Sequence, residues 1–126
     1  MVYSCNISLL KFIFMLLSKK TWGYMQIKIF TRNQFDLIEY TIDKETILVN
    51  SAEKKCNTDD YIYRICNLVR DWPKFLENSK IIDGFKIKIE IEKNGETDVY
   101  FFNNKFPNDF FLFMRVLDEI KNNIKN

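Results

Sequence analysis

The chain has 126 residues, 47% of them hydrophobic and 29% charged, with a formal net charge of +2. That length suits one domain with a sizeable core, and the composition excludes disorder, collagen and coiled coil. With no histidine in the chain, a Ser-His-Asp triad, a Cys-His pair, a histidine-ligated zinc and a histidine general base are excluded as well.

The first 24 residues read MVYSCNISLLKFIFMLLSKKTWGY, and Lys11, Lys19 and Lys20 are their only charged side chains. Setting this leader aside leaves 16 of the 19 basic residues against all 17 acidic ones, a net of −1 for residues 25–126. Phosphate binding needs clustered Lys and Arg to displace counterions, and no such cluster appears, so nucleic acid is not the expected partner. The apolar run at residues 7–17 is interrupted by Lys11 and is shorter than the roughly 20 helical residues that cross a bilayer. Its lysines follow the run and no small-residue cleavage site appears, unlike a secretory signal. Trp22-Gly23 is encoded TGG-GGN, a purine-rich run placed where a bacterial ribosome-binding site for Met25 would lie. Residues 1–24 are therefore either over-translated or a short apolar helix, with a membrane as partner only in the second case. Residues 25–126 are expected to form a single α+β domain. Cys5, Cys56 and Cys66 make an odd set with no C-x-x-C spacing, which fits free thiols in a reducing cytoplasm.

From Met25 onward, alternation predicts a strand over 26–32, a turn at Asn33-Gln34 and a hairpin of strands 37–42 and 46–49 around Asp43-Lys44. Residues 50–57 read as polar and irregular. A helix begins after Thr58, whose hydroxyl is expected to cap an orphan amide, with Asp59 and Asp60 at the positive end of the dipole. Ile62, Ile65, Cys66, Val69 and Trp72 carry its apolar stripe, and the helix should kink or stop near Pro73. Asp83-Gly84 is a turn. Phe85, Ile87, Ile89 and Ile91 alternate with Lys86, Lys88, Glu90 and Glu92, the clearest strand of the chain, with one face buried and one wet. Asn94-Gly95 supplies a type I′ hairpin turn, 99–103 returns, Pro107 opens a last helix, and Phe110, Phe113, Met114, Leu117, Ile120 and Ile124 form its stripe. The predicted architecture is β-β-β-α-β-β-α, an antiparallel sheet of about five strands with two amphipathic helices on one face.

Equipment for catalysis is thin, and the chain is read as not an enzyme: no catalytic residue, metal ligand or cofactor is assigned. Asp59 and Asp60 serve the helix start, and Asp60 is spaced to pair with Arg64. Glu53 and Lys55 have the spacing of a nuclease E-x-K but fall in a polar loop, and the Lys/Glu face of 85–92 suits solvated cross-strand pairing. The glycines stand alone, so no phosphate-cradling loop is present.

The informative feature is aromatic excess. Tyr100, Phe101, Phe102, Phe106, Phe110, Phe111 and Phe113 crowd the C-terminal third. The segment 99–102 is apolar on both faces, so it is covered on both sides or contributes to an interface. Phe111 and Leu112 fall about 100° or more from the centre of the last helix's stripe. Tyr63, Asn67 and Arg70 lie on the first helix opposite Ile62, Ile65 and Val69. Together Tyr63, Asn67, Arg70, Phe111 and Leu112 form a candidate partner-binding set, because Tyr, Phe and Arg dominate binding hot spots. An alternative set serves a nucleotide-like ligand: Phe102 or Phe106 to stack a base, and Arg64, Arg70 or Arg115 to hold phosphate.

From Trp72 to Ile120, the Asp83-Gly84 turn, the Ile87/Ile89 strand, the Asn94-Gly95 turn, Asn104-x-Phe106-Pro107-Asn108 and the closing apolar helix resemble small bacterial α+β proteins of the toxin-immunity type. The resemblance implies a cytoplasmic, non-catalytic inhibitor that neutralises another protein, such as a toxin or defence factor. The Lys/Asn/Ile/Phe-rich composition suits an AT-rich gene of a low-GC bacterium or mobile element. The alternative is a small-ligand binding or sequestering protein, with a homodimer as an open alternative to a monomer. Exposure of Phe111, Leu112 and Tyr63, against convergence of arginines in a pocket, separates the two.

Overall fold

The computed structural model describes residues 25–81 and 84–126. The expectations for residues 1–24, and for the Asp83 half of the Asp83-Gly84 turn, lie outside the described residues.

Alternation places Ile27 and Ile29 on one face of strand β1 (Met25–Arg32), and both are fully buried. Strands β2 (Leu37–Ile42) and β3 (Thr46–Val49) follow as the expected hairpin. The chain does not then become irregular. It turns back at Asn50, which holds a φ of 55°, and adds β4 (Ala52–Lys55) antiparallel to β3. A polar AEKK strand gives no alternation to read, because it lies at the edge of the sheet and is mostly exposed.

Helix α1 (Asp59–Val69) begins where expected, but Thr58 does not cap it through its side chain. The buried Thr58 hydroxyl instead turns to the carbonyls of Asp43 and Lys44, 2.8 Å away in the second case, while Asn57 Oδ1 accepts from the Asp59 amide. Thr58 thus ties the helix start to the β2–β3 turn. The helix stops before Pro73, and β5 (Phe75–Glu77) then pairs parallel with β7. Strands β6 (Lys86–Lys93) and β7 (Glu96–Asn103) form the hairpin set by Asn94 and Gly95, both at positive φ. Helix α2 (Phe110–Lys125) closes the chain. Its start lies three residues beyond Pro107, whose carbonyl accepts from the Phe110 amide.

The sheet therefore has seven strands, not five, in the order β4-β3-β2-β1-β6-β7-β5. All neighbours are antiparallel except β5 and β7. The α+β class and the two amphipathic helices stand; the added strands are the two edges, each too short to show a period. Ile27, Ile29, Tyr40, Ile42, Ile47, Ile87, Ile89, Tyr100 and Phe102 of one sheet face share a buried core with Ile62, Ile65, Val69, Phe113, Val116, Leu117 and Ile120 of the helices. Burial pushes the Tyr40 hydroxyl up to about 12, with Asp118 adding to the effect.

Most of the aromatic excess is core. Trp72 sits at the end of α1 with its ring 5.6 Å from Phe113, 5.7 Å from Phe102 and 6.0 Å from Phe110. Phe106 stacks on Phe110 at 4.5 Å, and Phe85 closes the cluster 5.7 Å from Phe106. Edge-to-face and offset pairs of this kind add to the area they bury. Among the described residues no helix is long and apolar enough to cross a membrane.

Candidate functional site

The helices meet side by side over the sheet, and their seam is built from charge. Arg64 on α1 reaches Glu119 on α2 with both terminal nitrogens, Nη1 to Oε1 and Nη2 to Oε2, each at 2.7 Å. This fork-on-fork pairing fits guanidinium to carboxylate. Arg64 also pairs with Asp60 at 3.3 Å, the expected i,i+4 contact. The Arg64 hydrogen bonds hold the Glu119 carboxyl below its ordinary range, and the charge of Arg115 adds to the effect. The same bonds raise Arg64 further. Asn123 Nδ2 donates to the Tyr61 hydroxyl, and Lys54 Nζ donates to the Asn123 carbonyl. The end of α2 is thereby fastened to α1 and to β4.

Above the Arg64–Glu119 pair the seam opens into a groove of about 220 Å³, lined by Tyr63, Arg64, Asn67, Leu68, Leu112, Arg115 and Val116. At Asn67 and Leu68 it adjoins a second cleft of about 560 Å³, which runs past Arg70, Asp71, Trp72 and Pro73 to Phe106, Pro107, Asn108 and Asp109. Asp109 takes a φ of 66° as α2 begins. Members of both candidate sets thus come together on one helical surface: Tyr63, Asn67, Leu112, Arg64 and Arg115 in the groove, Arg70 and Phe106 in the cleft. Phe111 lies outside both, 63% exposed, one residue from Leu112. Tyr63, Asn67 and Leu112 are half-buried, so the first helix does not present Tyr63 and Asn67 to open solvent; α2 flanks them.

Two residues of the ligand set are placed against that role. Phe102 is fully buried, with Trp72 and Phe110 edge-on to it, so it has no open ring face for a base. Arg64 has both terminal nitrogens committed to carboxylates of its own chain. Phe106 keeps access to the cleft, but Phe110 stacks on its ring. Arg70 lies 3.8 Å from Asp71. The groove that holds Arg64 and Arg115 is also below the roughly 300 Å³ where small-molecule pockets begin.

Glu119, Leu68 and Val116 belong to this surface and were missed by the sequence reading. Glu119 is 55 positions from Arg64, and no local spacing links them. Of the thiols, Cys66 is pushed up to about 11 by burial, against a weaker opposing pull from Lys93; at neutral pH it is a protonated thiol and a poor nucleophile. Among the described residues no three His, Cys, Asp or Glu side chains gather as a metal site. No family model, no curated protein and no solved structure matches the chain.

Proposed function

We propose that this is a non-catalytic binding protein that neutralises another macromolecule by covering part of its surface, in the manner of an immunity protein, and that it does so with the helical face. The observation that carries this reading is the apolar pair Phe111 and Leu112 beside the α1–α2 groove. Phe111 is one of the most exposed large apolar residues described, yet it sits on a well-formed helix one step from half-buried Leu112. An aromatic anchor beside a shallow groove rimmed by Tyr, Asn and Arg matches the make-up of binding hot spots. Arg70 and Arg115 are exposed at the rim and suit a partner with acidic groups there. A nucleotide-like ligand is the weaker reading, because the arginines divide between two cavities and Arg64 is held by Glu119.

The test compares wild type with Phe111→Asp as affinity baits in extract of the native host, alongside thermal shifts with nucleotides. A protein retained by wild type and released by Phe111→Asp supports the proposal. Equal retention by both baits, or a nucleotide that raises Tm, contradicts it.

A further inference from the structure

The sheet face turned away from the helices carries charges whose order is complementary to its own reverse. On β6 the outward positions read Lys86, Lys88, Glu90 and Glu92, while Ile87, Ile89 and Ile91 are buried in the core. Two lysines and then two glutamates stand evenly about Ile89. Beside them runs an apolar strip. In the register Phe101 lies opposite Lys88 and Phe75 opposite Phe101, and the two rings stack at 5.9 Å. Phe75 is 57% exposed and Val99, on the same face, 42%. A contiguous apolar strip of this kind usually marks an interface, and an isologous interface must be complementary to itself. We propose that this face joins two copies of the chain, sheet against sheet, about a two-fold axis that runs across the strands and passes over Ile89.

Charge selects that occupant and its orientation. The axis sets Lys88 against Glu90 of the partner subunit and Lys86 against Glu92 of the partner subunit, with the reverse pairs following by symmetry. An axis along the strands would instead set lysine on lysine and glutamate on glutamate, which is repulsive. The neighbouring strands obey the same operator. Glu90 lies opposite Lys28 on one side and Val99 on the other, and Lys88 lies opposite Phe30 and Phe101. Phe101 therefore meets the partner's Val99, and Phe30 meets the partner's Lys28, whose apolar stem covers a ring. Lys88 already pairs with Glu90 of its own chain at 3.0 Å, so association exchanges that contact for one across the interface. Among the described residues Lys86 and Glu92 have no ion-pair partner. The chain's net charge of only +2 opposes self-association little. Aligned sheets stack about 10 Å apart and about 30° off parallel, so the match is best where the two copies of β6 cross. From β2 to β5 the face spans four inter-strand gaps, about 19 Å at ~4.8 Å each, and its eight-residue strands run about 27 Å. That footprint of about 500 Å² per chain lies at the low end for specific interfaces. The dimer is accordingly weak, reversible on dilution and loosened by salt. It is independent of the helical face and leaves it open.

Sedimentation equilibrium of the full chain at low salt, over a wide range of loading concentrations, tests it. Wild type should pass from monomer to dimer as concentration rises. Lys88→Glu places like charges at both copies of the central contact and should raise the dimer Kd about tenfold or more. Adding Glu90→Lys to that variant exchanges the two signs and should restore association, which a misfolded chain could not do. The sharpest arm mixes two proteins. Lys86→Glu with Lys88→Glu makes the β6 row wholly acidic, and Glu90→Lys with Glu92→Lys makes it wholly basic. Each should stay monomeric alone, and the two should form a one-to-one dimer together. A wild type that is monomeric at every concentration overturns the proposal, as does a dimer that Lys88→Glu leaves intact. So does a dimer abolished by Phe111→Asp, which would assign the contact to the helical face, or a failure of the acidic and basic variants to associate.

Discussion

Arg64 and Glu119 show how one contact can remove a residue from one role and fit it to another. Committed to each other, they tie α1 to α2 and fix Arg64 where it lines the groove. Both side chains keep contact with water, at 31% and 43% exposure, so screening limits what the pair contributes. We expect Glu119→Gln to cost no more than about 1 kcal/mol at pH 7, read from urea midpoints. The pH dependence has a definite sign. A carboxylate whose folded value is depressed stabilises the fold above its unfolded value of about 4.3 and loses that contribution as pH falls through the folded value. The wild-type and Glu119→Gln midpoints should therefore converge in acid, and a gap that persists there would show that the pair is not its source. Two phenylalanines give the complementary contrast. Phe102→Ala should cost about 3–5 kcal/mol, because it empties part of the aromatic core. Phe111→Ala should stay within about 0.5 kcal/mol, as for an exposed side chain. Similar losses at both positions would mean that Phe111 is structural.

At the level of elements, two glycines in neighbouring turns fail for different reasons. Gly95 has open space around its Cα but a φ of +85°, so a side chain there meets only backbone strain. Gly84 has no unusual φ, yet an added Cβ would lie 1.6 Å from Asn104 Oδ1, and Asn104 Nδ2 donates to the Ile81 carbonyl. Gly95→Ala should cost about 1–2 kcal/mol whatever its neighbours. Gly84→Ala should be largely rescued by Asn104→Gly, which removes the clashing side chain and tolerates the φ of 60° at that position; thermal melts of the single and double variants decide it. The Asn94-Gly95 turn and the β6 alternation were legible because each is local: a positive-φ pair, and one wet face against one dry face. The two edge strands were not. β5 has three residues and depends on pairing with β7 some 26 positions later, and β4 is polar because an edge needs no buried face. Thr58 was read as a cap because its position suits one, but a carbonyl pair in the β2–β3 turn competed for its hydroxyl. Within the site, Phe111 and Leu112 were legible as departures from the α2 stripe, and Tyr63 and Asn67 as polar positions of α1. Their meeting in one groove depends on the crossing of two helices, which no single-segment pattern encodes. The burial of Phe102 follows from which face of β7 meets the helices, and alternation in a strand apolar on both faces cannot decide that.

For the molecule as a whole, one seven-stranded sheet separates two surfaces of different character. The helical surface has a shallow, arginine-rimmed groove with an aromatic residue standing beside it; the opposite surface has a flat aromatic row set among lysines and glutamates. The proposed function gives the first to a partner. That reading predicts that charge reversal at Arg115 weakens partner binding mainly through slower association and with a strong dependence on salt, as expected for a rim charge, whereas Phe111→Asp accelerates dissociation. The most direct test of the central claim is a photo-crosslinking amino acid placed in living host cells at Phe111, at Tyr63 and, for comparison, at Lys28 on the opposite sheet face. The account predicts a discrete protein adduct from positions 111 and 63 and none of that mass from 28. An adduct from 28 alone, or none from either helical position, would contradict it.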